Sequence, residues 1–220
     1  MSFLAKLAAA FVCVSGAAQA STLLEDFSGG LNGWSHLTTP GAAQPGGTPG
    51  GATVALIPNG GPGGTGDAYI EYSEADTNWH HAIFGDGWIG DLSAFNGGTF
   101  SLNYVQTFGL ENAHSSTFGT LRVSGGGESA LVDMVPGLPS GSWQTATIGF
   151  NASTFGVSEG TWAGILGNVS EIRFQTEAVS GGEIIGLDNI TLTSPAPVPL
   201  PASGGLLLAG LACLGLKRRR

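Results

Sequence analysis

The feature that most constrains this chain is a two-residue alternation of apolar and polar side chains. It recurs in short runs separated by glycine-rich breaks. In "GGTFSLNYVQT", Phe100, Leu102 and Tyr104 fall on one face and Thr99, Ser101 and Asn103 on the other. Successive side chains of a strand point to opposite faces, so such a run reads as a half-buried strand. "STLLEDF", "TVALI", "DAYIEY", "TFGTLRVS", "SALVDMV", "SWQTATIGF" and "SEIRFQTE" read the same way. "GGEIIGLDNITLT" adds a strand pair or a single long strand, for about nine runs in all. No long amphipathic helix is present, and only "TWAGILGNVS" (Thr161 to Ser170) offers a helical turn. The 38 glycines and 11 prolines supply turns, densest over residues 40–66 and in the "GGG" at 125–127. Short strands at close spacing predict an all-β chain folded as an antiparallel β-sandwich of jelly-roll form.

The two ends read differently from the body. Residues 1–20 carry one cation (Lys6), the apolar run "LAAAFVCVSGA" and "AQA" before Ser21. This is the order of a secretory signal helix cleaved between Ala20 and Ser21. A lipoprotein signal acting through Cys13 would want small neighbours, and "AFVCV" supplies valines. At the other end, Gly204 to Leu216 is thirteen residues without a charge. As a hydrophobic helix it would reach about 20 Å, short of a hydrocarbon core of about 30 Å. Pro199 and Pro201 oppose extending that helix upstream. Lys217 to Arg220 would stay cytoplasmic and leave the body outside the membrane.

The last 23 residues resemble the PEP-CTERM type of bacterial sorting signal in its VPLPA form. The motif Val198, Pro199, Leu200, Pro201 and Ala202, the hydrophobic stretch and the basic end come in that family's order. The resemblance implies recognition by an exosortase, a membrane protease of Gram-negative bacteria. It also implies removal of the tail and delivery to the cell surface or an extracellular matrix. The alternative is a tail that is never cut and serves as a permanent membrane anchor. The expected organisation is a signal peptide (1–20), a β-sandwich (21–193), a proline-rich spacer with the sorting motif (194–203), and a hydrophobic segment with a basic tail (204–220).

Setting the ends aside leaves two cations, Arg122 and Arg173, against sixteen acids, a net of −14. That excludes nucleic acid as a partner, because phosphate binding needs clustered Lys and Arg. Divalent cations and neutral polymers remain. Cys13 and Cys213 both lie in the end segments, so the body has neither a disulfide nor a cysteine nucleophile.

The body also resembles the laminin B (laminin domain IV) module. "WHHAIFGDGWIGDLSAFNGGTFSLNY" carries the resemblance, with Trp88-Ile89-Gly90-Asp91 where the family has its FLGD stretch, and "ILGNVSEIRFQTEAVSGGEIIGLDNITL" closes it. It implies a jelly-roll sandwich of the galactose-binding and carbohydrate-binding-module kind, without implying a ligand.

Candidate sites follow from chemistry. In jelly-roll binding modules the first and last strands lie side by side. Glu25 and Asp26 on the first and Asp188 on the last would then share a structural calcium ion, which wants six to eight oxygens. The plainer alternative is acids that keep edge strands from aggregating. His80 and His81 are adjacent and would face opposite sides of a strand, so they do not chelate one zinc. Trp79 and Trp88, with Asp86 and Asp91, offer indoles and carboxylates to a sugar face, against the alternative that these tryptophans are packing residues. No motif singles out a glycosidase carboxylate pair or a nucleophile elbow. The expectation is a non-enzymatic exported protein in contact with exopolysaccharide. The alternative is a secreted polysaccharide hydrolase.

Overall fold

In chain order the strands are β1 (Thr22–Glu25), β2 (Ser35–Thr39), β3 (Thr53–Ile57), β4 (Tyr69–Glu74), β5 (Trp79–Ile83), β6 (Gly98–Phe108), β7 (Thr120–Gly125), β8 (Glu128–Asp133), β9 (Gln144–Phe150), β10 (Val169–Gln175) and β11 (Glu183–Thr193). They belong to a computed structural model that describes residues 20–39, 52–75, 78–114, 117–135 and 137–196. The expected signal segment up to residue 19, the motif Val198 to Ala202 and the basic tail lie outside the described residues. The segment Ser21–Pro195 forms one compact unit.

Two antiparallel sheets face each other as a jelly-roll sandwich. Sheet A has the order β3-β4-β11-β6-β9, with β1 also on β11, and sheet B has the order β2-β5-β10-β7-β8. The alternation read in the sequence sets the facing layers. Phe100, Leu102 and Tyr104 of β6 are buried, as are Ile172 and Phe174 of β10. Aromatic rings run through the interior from Trp34 to Phe84, Phe100, Phe150 and Trp162, with centroid separations of 4.2–6.3 Å between neighbours.

The "TWAGILGNVS" segment holds more than the single turn expected. Helix α1 (Glu159–Leu166) is capped by Ser158, whose side chain accepts a hydrogen bond from Thr161 N at 3.1 Å. Trp162, Ile165 and Leu166 lie on the helix face turned inward and are fully buried. The segment "GGEIIGLDNITLT" forms one long strand, and two further strands, β2 and β5, join the nine runs expected from alternation. No helix among the described residues is long and apolar enough to cross a membrane.

The arrangement around β11 positions the acids. On one side, Glu183 to Leu187 pair with β4 and Ile190 to Thr193 pair with β1, so β4 and β1 meet that side end to end. Asp188 and Asn189 fall at the seam. There the pairing with β6 on the opposite side also shifts register, and Asn189 takes a left-handed backbone with φ 48°.

Candidate functional site

A cleft of about 260 Å³ opens on sheet B, lined by Trp79, His81, Thr120, Arg122, Leu131, Arg173 and Gln175. The strand period explains the set. Ala82, Leu121, Val123, Ile172 and Phe174 are buried in the core, so their neighbours His81, Arg122 and Arg173 face outward. The registers align one row across the sheet: Leu131 opposite Arg122, Arg122 opposite Arg173, Arg173 opposite Ile83, and Ile83 opposite Ser35. A second row sets Gln175 opposite His81 and His81 opposite Leu37.

The polar groups of the cleft are only partly engaged. Arg122 Nη2 donates to Ser129 Oγ at 2.9 Å, and its Nε has no hydrogen-bond partner. Arg173 Nε lies 2.9 Å from Glu171 Oε1, an ion pair whose hydrogen bond is not aligned. Gln175 Nε2 donates to Thr117 Oγ1 at 2.8 Å. Burial and the charge of Arg173 push the His81 imidazole down to about 4, so it is neutral at ordinary pH.

Only Trp79 of the residues expected to contact a sugar lines this cleft. Trp88 is a correction to that expectation. It is 3% exposed, with ring contacts to Trp34, Phe84 and Phe100, so no ligand reaches its faces. Asp86 opens a short 3-10 turn (Asp86–Trp88) beyond the far end of β5 from Trp79. Asp91 accepts a hydrogen bond from Ser93 N at 2.9 Å and shapes the next turn. Neither aspartate reaches the cleft.

The acids expected to bind calcium do converge on the β11 seam, with different degrees of engagement. Asp188 is fully buried, and neither of its oxygens receives an aligned hydrogen bond. Burial raises its pKa to about 7; the nearby Asn189 N–H offsets part of this, and Asp67, Asp26 and Glu25 add to the rise. Glu25 is already taken by Phe27 N at 3.0 Å and Asn32 Nδ2 at 3.0 Å. Asp26 accepts from Ser28 Oγ at 2.7 Å, which holds its carboxyl below the usual value. Asp67, not among the ligands expected from the sequence, also acts on Asp188. A Cβ added at Gly61 would lie 2.5 Å from Asp67 Oδ2 and 3.1 Å from Asp188 Oδ2. Glycine there leaves room between two carboxylates.

A separate buried group lies where β4 and β11 pair. Carboxylate oxygens of Glu74, Glu177 and Glu183 come within 4.8 Å of one another. Glu183 accepts from Ala178 N and Val179 N at 2.9 Å each, and His80 Nε2 lies 3.4 Å from Glu74 Oε2. The backbone donors and the imidazole offset the cost of burying these carboxylates.

The fold is that of carbohydrate-binding-module jelly-rolls. A family 11 carbohydrate-binding module of the cellulosomal cellulase Lic26A-Cel5E of Clostridium thermocellum is similar over 83% of this chain and 99% of that one, at 19% identity and a TM-score of 0.50. An exo-beta-agarase is similar over 83% of this chain and 26% of its own, at 12% identity and a TM-score of 0.51. The L4b domain of human laminin alpha-2 is similar over 57% of this chain and 80% of that one, at 10% identity. Its TM-score of 0.45 is too low to argue from. At such identities the likeness speaks to the fold alone. No protein-family model matches the chain, and no curated protein matches it.

Proposed function

We propose that this is an exported, non-enzymatic surface or matrix protein that binds polysaccharide in the cleft on sheet B. The observation that carries the reading is the lining of that cleft: one indole, one aliphatic side chain and five polar groups converging on an open sheet face. A sugar ring has an apolar face that packs on an indole and a hydroxyl rim that hydrogen-bonds to side chains such as Gln175 and Thr120. The cleft lining contains no Asp or Glu. Glycoside hydrolysis needs two carboxylates flanking the scissile bond, so this composition favours binding over hydrolysis. Affinity electrophoresis of the full chain through gels containing soluble polysaccharides tests the reading. Retardation that Trp79→Ala relieves supports it, and free migration through every polysaccharide overturns it.

Export and sorting rest on the N-terminal signal pattern and the Val198 to Ala202 motif. An exosortase-type protease is the proposed partner for the tail. Mass-spectrometric mapping of the mature termini from native cells tests this. Ends near Ser21 and Ala202 support sorting, and a membrane-bound chain that keeps Lys217 to Arg220 supports a permanent anchor.

A structural calcium ion at the β11 seam is part of the same proposal. Asp188 and Asp67 would be its first ligands, with Glu25, Asp26 and backbone carbonyls completing the shell. The support is the buried Asp188 carboxylate with no aligned donor beside a second carboxylate.

A further inference from the structure

We infer that the cleft on sheet B is built for an acidic polysaccharide, whose uronate carboxylates bind between Arg122 and Arg173. The inference rests on the glycan-binding reading above and names the class of glycan.

The charge distribution points to it. Between residues 21 and 196 the chain carries sixteen acids and two cations, and both cations line one cleft. They are direct cross-strand neighbours on β7 and β10. Like charges placed opposite each other oppose sheet pairing, so this arrangement has a cost that a bound anion would remove. A neutral sugar would need neither charge.

The partners leave capacity for such an anion. Among the described residues, Arg122 makes no ion pair, and Ser129 takes one of its five N–H groups. Glu171 engages Arg173 through Nε, which leaves the outer fork of the guanidinium. A planar guanidinium matches a carboxylate with two parallel hydrogen bonds. Neighbouring strands stand about 4.8 Å apart, so the two forks can share one uronate carboxylate or address those of nearby sugars of a chain. Burial first, and then the charge of Arg173, keep the His81 imidazole neutral beside the two guanidinium groups. Among the described residues, the acids on the outward face of these strands are Glu171, which already pairs with Arg173, and Asp133, which stands opposite Thr120 and accepts from Val135 N.

Polygalacturonate and alginate, each beside its methyl-esterified form, and a neutral β-glucan make the test. Binding of the full chain is measured by titration calorimetry at low and high salt. The expected result is a preference of about tenfold or more for the acid over its ester, shrinking as salt rises. Arg122→Gln and Arg173→Gln should each remove most of that preference while melting no lower than the parent. The acid-to-ester comparison on the unaltered protein stands even if a variant fails to fold. Equal binding of acid and ester, or of the neutral glucan, would overturn the charge assignment and leave the glycan-binding reading intact. Binding of no polysaccharide would overturn both.

Discussion

Arg122 and Arg173 stand directly opposite each other on β7 and β10, the two cations of a strongly acidic sandwich brought side by side. Cross-strand like charges destabilise a sheet by about 0.2–1 kcal/mol relative to a neutral pair. Arg122→Gln should therefore raise the melting temperature by about 1–3 °C, most visibly at low salt. Differential scanning calorimetry checks it. A fall of several degrees would mean that the bond to Ser129 matters more than the repulsion.

The seam on β11 makes a second prediction. Asp188 is buried without an aligned donor, so above pH 7 its charge strains the chain unless a cation answers it. Asp188→Asn should melt higher than the parent in chelator at pH 8, yet gain nothing from millimolar calcium. The parent should gain, by mass action on the folded state. Gly61→Ala should also lose the calcium response, because its Cβ would enter the space between Asp67 and Asp188. A parent protein whose melting is the same in calcium and in chelator would end the calcium proposal.

Glu183 links stability to pH. Burial pushes its carboxyl up to about 8, against a usual value of 4.5, even though Ala178 and Val179 donate to it. Between these values the folded chain holds a proton that the unfolded chain releases. This contribution is complete below about 4.5 and is lost as pH rises through about 8, with a slope of at most about 1.4 kcal/mol per pH unit. Glu183→Gln stays neutral, so its stability relative to the parent should rise by about 1–3 kcal/mol between pH 5 and pH 8. Urea titrations at the two pH values measure this, and a difference that does not change with pH would contradict it.

Trp162 ties α1 to the sandwich. Its ring stacks on Phe155 at 4.5 Å, meets Phe150 edge-on at 5.0 Å, and donates through Nε1 to Asn96 Oδ1 at 3.1 Å. Trp162→Ala should cost about 3–5 kcal/mol in urea unfolding, through lost burial and an open cavity. A loss under about 1 kcal/mol would show that α1 packs loosely.

Much of the fold could be read from alternation, because strands with one buried face write their period into the chain. The run Phe100, Leu102, Tyr104 is an instance, and the first and last strands adjoin as a jelly-roll requires, with β1 paired to β11. Two strands escaped. "SHLTT" is short and polar, and in "WHHAI" the inward position is His80, whose burial depends on Thr38 and Glu74 from other strands. β5 supplies Trp79 and His81 to the cleft, and only Trp79 was expected at a sugar site. A signal for the arginines was present: Arg122 sits between Leu121 and Val123, and Arg173 between Ile172 and Phe174. Each is an outward cation flanked by inward apolar residues. What no single strand reveals is that β7 and β10 are neighbours, which is a property of the sheet order. Trp88 misled for a related reason. A tryptophan in a glycine-rich loop reads as exposed, but here the turn folds its ring inward against Phe84 and Phe100.

The sheet B cleft is the proposed polysaccharide site. The most direct measurement is affinity electrophoresis of the full chain beside its Trp79→Ala and Arg173→Gln variants, with soluble neutral and acidic polysaccharides in the gel. At least one polysaccharide should retard the parent, and both variants should migrate more freely in it. Free migration of the parent in every gel, or equal retardation of parent and variants, would contradict it.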